Sequence, residues 1–250
     1  MRLLHPRRSC LYSVMLAGCS ASLLGQVSAQ EVRSSVETPA ISEAIRVKAI
    51  EKWEKDIVAL EQLDAKESDP QDGVLLIGSS SIRLWTTCGE DLSPYPTIRR
   101  GYGGAKYSDL AVFAERLIQP HQFRVLVVFV ANDISGKEDD ATVEQIQQWV
   151  THIVEVARQH QPNSPVFIME ITPTEIRWKV WGRIRLANAM LRELALTTPN
   201  TIFVPTAEYF LTNQGLPRTE LFRDDKLHLN EKGYALWALI LKSRLASHLD

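Results

Sequence analysis

Four short stretches of this chain carry groups suited to acyl chemistry, and each follows an apolar run or lies in a polar loop. Three hydroxyls, Ser79, Ser80 and Ser81, come directly after Val74-Leu75-Leu76-Ile77-Gly78. Serines at such a point commonly cap a helix or shape a turn. One of them could instead be a nucleophile, because open α/β sheets place their sites beyond the carboxyl ends of strands. Asp225 precedes His228 by three residues in the polar segment Phe222-Arg223-Asp224-Asp225-Lys226-Leu227-His228. In a loop, that spacing lets the carboxylate turn back to accept the imidazole Nδ1 proton, which leaves Nε2 free as a base. Asn132 and Asp133 come just after the apolar run 125–130. The Asn132 amide could donate to a developing negative charge, or could close the strand as an Asx-turn. Last, the glycines of Gly101-Tyr102-Gly103-Gly104-Ala105 let backbone approach a ligand with its N–H groups free.

The remaining reactive side chains are read by contrast. His5 lies in the N-terminal segment, and His121, His152, His160 and His248 fall in helical or helix-terminal stretches, where they are expected to be solvated. No histidine pair at helical spacing and no histidine–cysteine set offers a zinc site, so the sequence implies no metal and no cofactor. Cys88, in Thr86-Thr87-Cys88-Gly89, reads as a loop residue rather than a nucleophile.

The elements that must position these groups follow from the hydrophobic pattern. Ile50, Trp53, Ile57, Leu60 and Leu63 recur at helical spacing behind Ser42 and Glu43, which can start a helix. Beyond the breaker Asp69-Pro70-Gln71-Asp72-Gly73, short apolar runs at 74–77, 97–99, 125–130, 166–171 and 201–204 read as strands. Helices are predicted at 106–119, 141–160, 181–198 and 231–248, the last capped by Asn230. The run 125–130 shows no alternation, so it is a strand buried on both faces. Strands alternating with helices imply a parallel sheet covered on both sides, in one domain.

With 250 residues, 45% of them hydrophobic, the chain can bury a substantial core, and its net charge of −2 leaves no footprint for nucleic acid. Residues 1–29 read as a signal peptide: Arg2, Arg7 and Arg8, an apolar stretch from Cys10 to Leu24, then Val27-Ser28-Ala29 before cleavage. The alternative is a lipobox at Leu16-Ala17-Gly18-Cys19, with a membrane tether only if Cys19 is lipidated. Either way the protein is expected to be exported, periplasmic or secreted, with residues 30–41 as a linker. Cleavage after Ala29 leaves Cys88 as the sole cysteine, so packing rather than a disulfide must hold the domain.

Four blocks in this order resemble the SGNH, or GDSL-type, hydrolase family, and the likeness covers residues 42–250. Gly78-Ser79-Ser80 stands where the family usually has Gly-Asp-Ser, and a subgroup reading Gly-Ser-Ser-Ser-Ile is similar. The resemblance implies a flavodoxin-like α/β fold: a three-layer sandwich whose central, mostly parallel five-stranded sheet is covered by helices on both faces. It implies Ser80 as nucleophile, His228 as base and Asp225 as its partner, with an oxyanion hole from Ser80, Gly104 and Asn132. Ser81 stays an alternative nucleophile, since propensity does not fix the register. Arg99, where related chains often have asparagine, and Val130, in place of a glycine, depart from the pattern and are expected to reshape the pocket wall. A Gly-x-Ser-x-Gly elbow is absent, since Ile82 stands two residues after Ser80. The expected activity is hydrolysis of a short acyl or O-acetyl ester on carbohydrate, with Trp178 and Trp181, beyond Pro173, as substrate contacts. Lipid-ester hydrolysis, acyl transfer and non-catalytic carbohydrate binding are the alternatives. The oligomeric state is not legible.

Overall fold

The computed structural model describes residues 41–249, so the expected signal peptide, Cys19 and residues 30–40 lie outside the described residues. Helix α1 (Glu43–Asp64) opens with Ser42, whose hydroxyl accepts from the Ile45 N–H at 3.3 Å. The chain continues through β1 (Val74–Gly78), α2 (Ser80–Leu84), α3 (Cys88–Asp91), β2 (Thr97–Gly101), α4 (Tyr107–Val112), α5 (Ala114–Ile118) and β3 (Val125–Phe129). Then come α6 (Val143–His160), β4 (Val166–Met169), a 3-10 helix (Glu175–Val180), α7 (Trp181–Thr197), β5 (Thr201–Val204) and α8 (Glu231–Leu249). Two further 3-10 turns, Ala207–Phe210 and Thr219–Leu221, lie between β5 and α8.

The five strands form one sheet in the order β2-β1-β3-β4-β5, parallel throughout. Every residue of β1, β3 and β4 is buried, whereas the edge strands β2 and β5 are partly accessible. That burial is why the central strands lack alternation: both of their faces meet helices. Right-handed crossovers put the helices of the step from β1 to β2 on one face and those of the steps running out to β5 on the other. Accordingly α1, α4, α5, α6 and α7 pack as a row, while α3 packs against α8. The strand order reverses between β1 and β3, so their chains leave toward opposite faces and open a crevice at their carboxyl ends. Ser80 begins α2 directly beyond β1, and Asn132 lies three residues beyond β3.

Several expectations need correction. The helix expected over 106–119 is broken at Phe113, whose buried ring sits edge-on against Tyr102. The strands expected to reach 130 and 171 end at Phe129 and Met169, where the chain peels away toward the crevice. Cys88 is not in a loop. It opens the one-turn α3, buried with its Sγ 3.6 Å from Thr97 Oγ1, and burial pushes its thiol up, which suits packing. His121 is not solvated: only 1% of it is exposed, with Nδ1 3.0 Å from Asp69 Oδ2 and Nε2 3.4 Å from Asp64 Oδ1. Arg100, also buried, reaches the same Asp64 at 2.5 Å, so this cluster ties the end of α1 to β2 and the loop before β3.

Candidate active site

Construction of the site begins at Gly78. Its φ is +145°, and a Cβ there would stand 2.0 Å from the Phe129 carbonyl oxygen, so only glycine lets β1 and β3 approach this closely. Ser79 then donates its N–H to that carbonyl at 3.1 Å, and its own carbonyl accepts from Ile82 and Arg83 to start α2. The Ser79 hydroxyl makes no cap bond, so of capping or bracing the turn it is bracing, through the backbone, that Ser79 supplies. Ser81 is tied through its carbonyl, which accepts from the Tyr234 hydroxyl of α8 at 2.8 Å. Of the three serines, Ser80 presents its Oγ to His228, with Nε2 3.0 Å away.

His228 is held by its own loop. Asp225 Oδ2 lies 2.7 Å from His228 Nδ1, while Oδ1 accepts the N–H groups of Leu227 at 3.0 Å and His228 at 2.9 Å. Lys226 takes φ +55° to fold the chain back so tightly, and the turn is closed by Arg223 N–H to the His228 carbonyl at 2.8 Å. Burial acts to raise the Asp225 pKa, but the imidazole bond and the two backbone bonds outweigh it and hold the carboxyl at about 2. The carboxylate therefore stays ionised, fixing the proton on Nδ1 and leaving Nε2 facing the serine.

The third part comes from the glycine turn and the end of β3. Gly103, at φ +28°, packs under Trp53 of α1, where a Cβ would meet the indole at 1.9 Å. Gly104 lies beside Asn132: a Cβ built on it would be 3.9 Å from Asn132 Nδ2. That nitrogen donates to the Ala105 carbonyl at 2.9 Å, and Asn132 Oδ1 accepts from Arg177 Nη2 at 2.6 Å. Asp133, fully withdrawn from water, takes the Tyr107 N–H on both oxygens at 3.0 and 3.1 Å, anchoring α4 to β3. Burial pushes its carboxyl up to about 7 against the opposing Tyr107 bond.

Ser80, His228, Asn132 and Arg177 line a cavity of about 20 Å³ with Phe129 and Trp237, whereas Gly104 and Asp225 stand outside its lining. A water needs roughly 10–15 Å³ measured this way, so the enclosed part of this open cavity is small. Trp178 and Trp181 stack on each other, centroids 5.9 Å apart, and line a separate hollow of about 860 Å³ with Glu170, Arg185 and Arg192. Neither tryptophan lines the Ser80 cavity. Arg99 and Val130 do not line it either: Arg99 donates to the Arg83 carbonyl, and Val130 is buried in the core. The expectation that these two reshape the pocket wall is therefore corrected. Sequence reasoning missed Arg177, Tyr234 and Trp237. Arg177 lies in the mixed stretch Glu175-Ile176-Arg177-Trp178-Lys179, where nothing local sets it apart from Lys179.

Residues 79–236 match the model of the GDSL-like Lipase/Acylhydrolase family, and the chain belongs to that family: it is a serine hydrolase acting on ester bonds. Solved structures share the fold. A GDSL-like lipase from Bacteroides thetaiotaomicron is 14% identical, with TM-score 0.66, over 77% of this chain and 98% of its own. An acetyl xylan esterase is 22% identical, with TM-score 0.58, over 69% and 99%. A carbohydrate esterase family 3 protein from Talaromyces cellulolyticus is 17% identical, with TM-score 0.54, over 70% and 96%. A comparison with curated proteins finds no significant match.

Proposed function

We propose that the protein is an exported esterase that removes a short acyl group, acetyl foremost, from a carbohydrate hydroxyl through an acyl-enzyme on Ser80. The observation that carries this reading is the continuous relay from Ser80 Oγ to His228 Nε2 at 3.0 Å and from His228 Nδ1 to Asp225 at 2.7 Å. His228 takes the hydroxyl proton as Oγ attacks the ester carbonyl, and the resulting imidazolium faces the Asp225 carboxylate. The tetrahedral oxyanion is met by the N–H groups of Ser80 and Gly104 and by the Asn132 amide. Collapse breaks the bond to the alcohol, which leaves with the proton from His228. Water, deprotonated by the same imidazole, then attacks the acyl-serine and releases the acid.

Two observations favour a small acyl group on a sugar. The small Ser80 cavity, about 20 Å³, suits a short acyl group, and the stacked Trp178–Trp181 pair offers indole surface in the separate hollow, which we assign to the alcohol side. The names of the two carbohydrate-directed esterases among the similar structures point the same way. Hydrolysis of p-nitrophenyl acetate, butyrate and octanoate by the mature chain, beside Ser80→Ala and His228→Ala, tests the reading. Acetate is expected to be the best substrate, with both variants inactive. A preference for octanoate would replace it with a lipid-ester activity, and a folded protein inactive on all three would replace it with binding.

A further inference from the structure

Arg177 sits on the 3-10 helix after β4, takes no part in the steps above, and yet lines the cavity with Ser80 and His228. Among the described residues it has no ion-pair partner, although desolvation lowers its pKa and only the more distant charges of Asp133 and Asp140 oppose that. A half-buried guanidinium without a carboxylate partner gives up hydration, so its bonds must be judged by what they hold. Nη1 donates to the Ala131 carbonyl at 2.7 Å and Nη2 to Asn132 Oδ1 at 2.6 Å.

That second bond fixes the Asn132 amide one way round. Oδ1 takes the guanidinium, and Nδ2 gives one N–H to the Ala105 carbonyl at 2.9 Å and keeps the other for a ligand. Turned over, the amide would set Oδ1 against the Ala105 carbonyl and its NH₂ against the guanidinium, two repulsive contacts in place of two bonds. The 3-10 helix has a separate anchor in the Lys226–Glu175 ion pair at 2.5 Å, so Arg177 is not its only tether.

We infer that Arg177 is a positioning residue, which locks the Asn132 amide with its N–H toward the oxyanion and strengthens that N–H as a donor by polarising the amide. The inference rests on the proposed acyl-enzyme reaction and on Asn132 serving the oxyanion. Without the guanidinium only the Ala105 carbonyl still holds the amide, so its orientation is less firmly set and its N–H loses the polarisation that strengthens it toward the developing negative charge.

A double-mutant cycle tests it, with Arg177→Ala, Arg177→Lys, Asn132→Ala and the combinations assayed on p-nitrophenyl acetate. Asn132→Ala is expected to lower kcat by about 100-fold or more, and Arg177→Ala by roughly 30-fold or more, with KM little changed. In the Asn132→Ala background, Arg177→Ala should cost less than about threefold, because the residue acts through the one already removed. Guanidinium ion at tens of millimolar should restore part of kcat to Arg177→Ala and none to Asn132→Ala. Arg177→Lys, which keeps charge but not the two-pronged geometry, should remain impaired, and it carries the test if the alanine variant does not fold. Additive losses in the cycle, an Arg177→Lys variant at parental rate, or an Asn132→Ala variant within threefold of the parent would each overturn the inference. Loss of activity in Ser80→Ala is read separately: if that variant stays active, the acyl-enzyme reading itself fails.

Discussion

Replacing Asp225 by asparagine isolates what the carboxylate does for His228. Asp225 accepts three bonds, two from backbone N–H groups on Oδ1 and one from His228 Nδ1 on Oδ2. Asparagine offers a single acceptor oxygen. Two backbone donors, at about 1 kcal/mol each, outweigh one imidazole N–H, so the amide oxygen stays with the backbone and its NH₂ faces Nδ1. Nδ1 must then accept, and Nε2 carries the only proton, aimed at Ser80, where it cannot take the serine's. A bias of about 1–2 kcal/mol leaves roughly a tenth or less of the molecules in the working tautomer, and losing the charge beside the imidazolium removes about 1.5–3 kcal/mol more. Together these predict a loss of about 10² to 10⁴ in kcat/KM on p-nitrophenyl acetate, with the thermal melt near the parent's. Asp225→Ala should retain more activity than Asp225→Asn. The Asp225 side chain is 47% exposed, so water can replace it and accept the Nδ1 proton. An asparagine variant within tenfold of the parent, or an alanine variant worse than it with both folded, would refute the argument.

Further outcomes follow from the same geometry. Gly78→Ala sets a methyl 2.0 Å from the Phe129 carbonyl in two central strands that cannot part, and should cost about 3–5 kcal/mol in urea denaturation; an unchanged midpoint would contradict the close approach. Asp133, at about 7 in the folded chain against about 3.9 unfolded, keeps a proton that the unfolded chain loses between those values. Raising the pH from about 4 to 7 should therefore erode stability, with no further loss from this group above 7, and Asp133→Asn should flatten that slope in melts across the range. Trp178→Ala and Trp181→Ala should raise KM for an acetylated xylo-oligosaccharide by about tenfold while leaving p-nitrophenyl acetate turnover within twofold; equal losses on both substrates would make the pair a packing element.

What the sequence revealed depended on how local each signal was. The unalternated run at β3 announced a strand covered on both faces, and Ser42 and Asn230 marked helix starts, because those patterns involve neighbours in the chain. Asp225 and His228, three residues apart, could be read as a pair for the same reason. Their contact with Ser80 spans 148 positions and needs the strand order, which periodicity does not encode. Arg177 and His121 failed similarly, since their partners lie 45 and 52 residues away. Trp178 and Trp181 were visible as aromatics, but which hollow they face depends on how the 3-10 helix leaves β4. Cys88 looked like a loop residue because a single helical turn is too short to show a period.

The most direct test of the central claim is to label the folded protein with a fluorophosphonate and locate the adduct by peptide mass spectrometry. The geometry predicts one adduct, on Ser80, absent in Ser80→Ala and formed at least about 100-fold more slowly in His228→Ala. An adduct on Ser79 or Ser81, or ester hydrolysis that survives in Ser80→Ala, would contradict it.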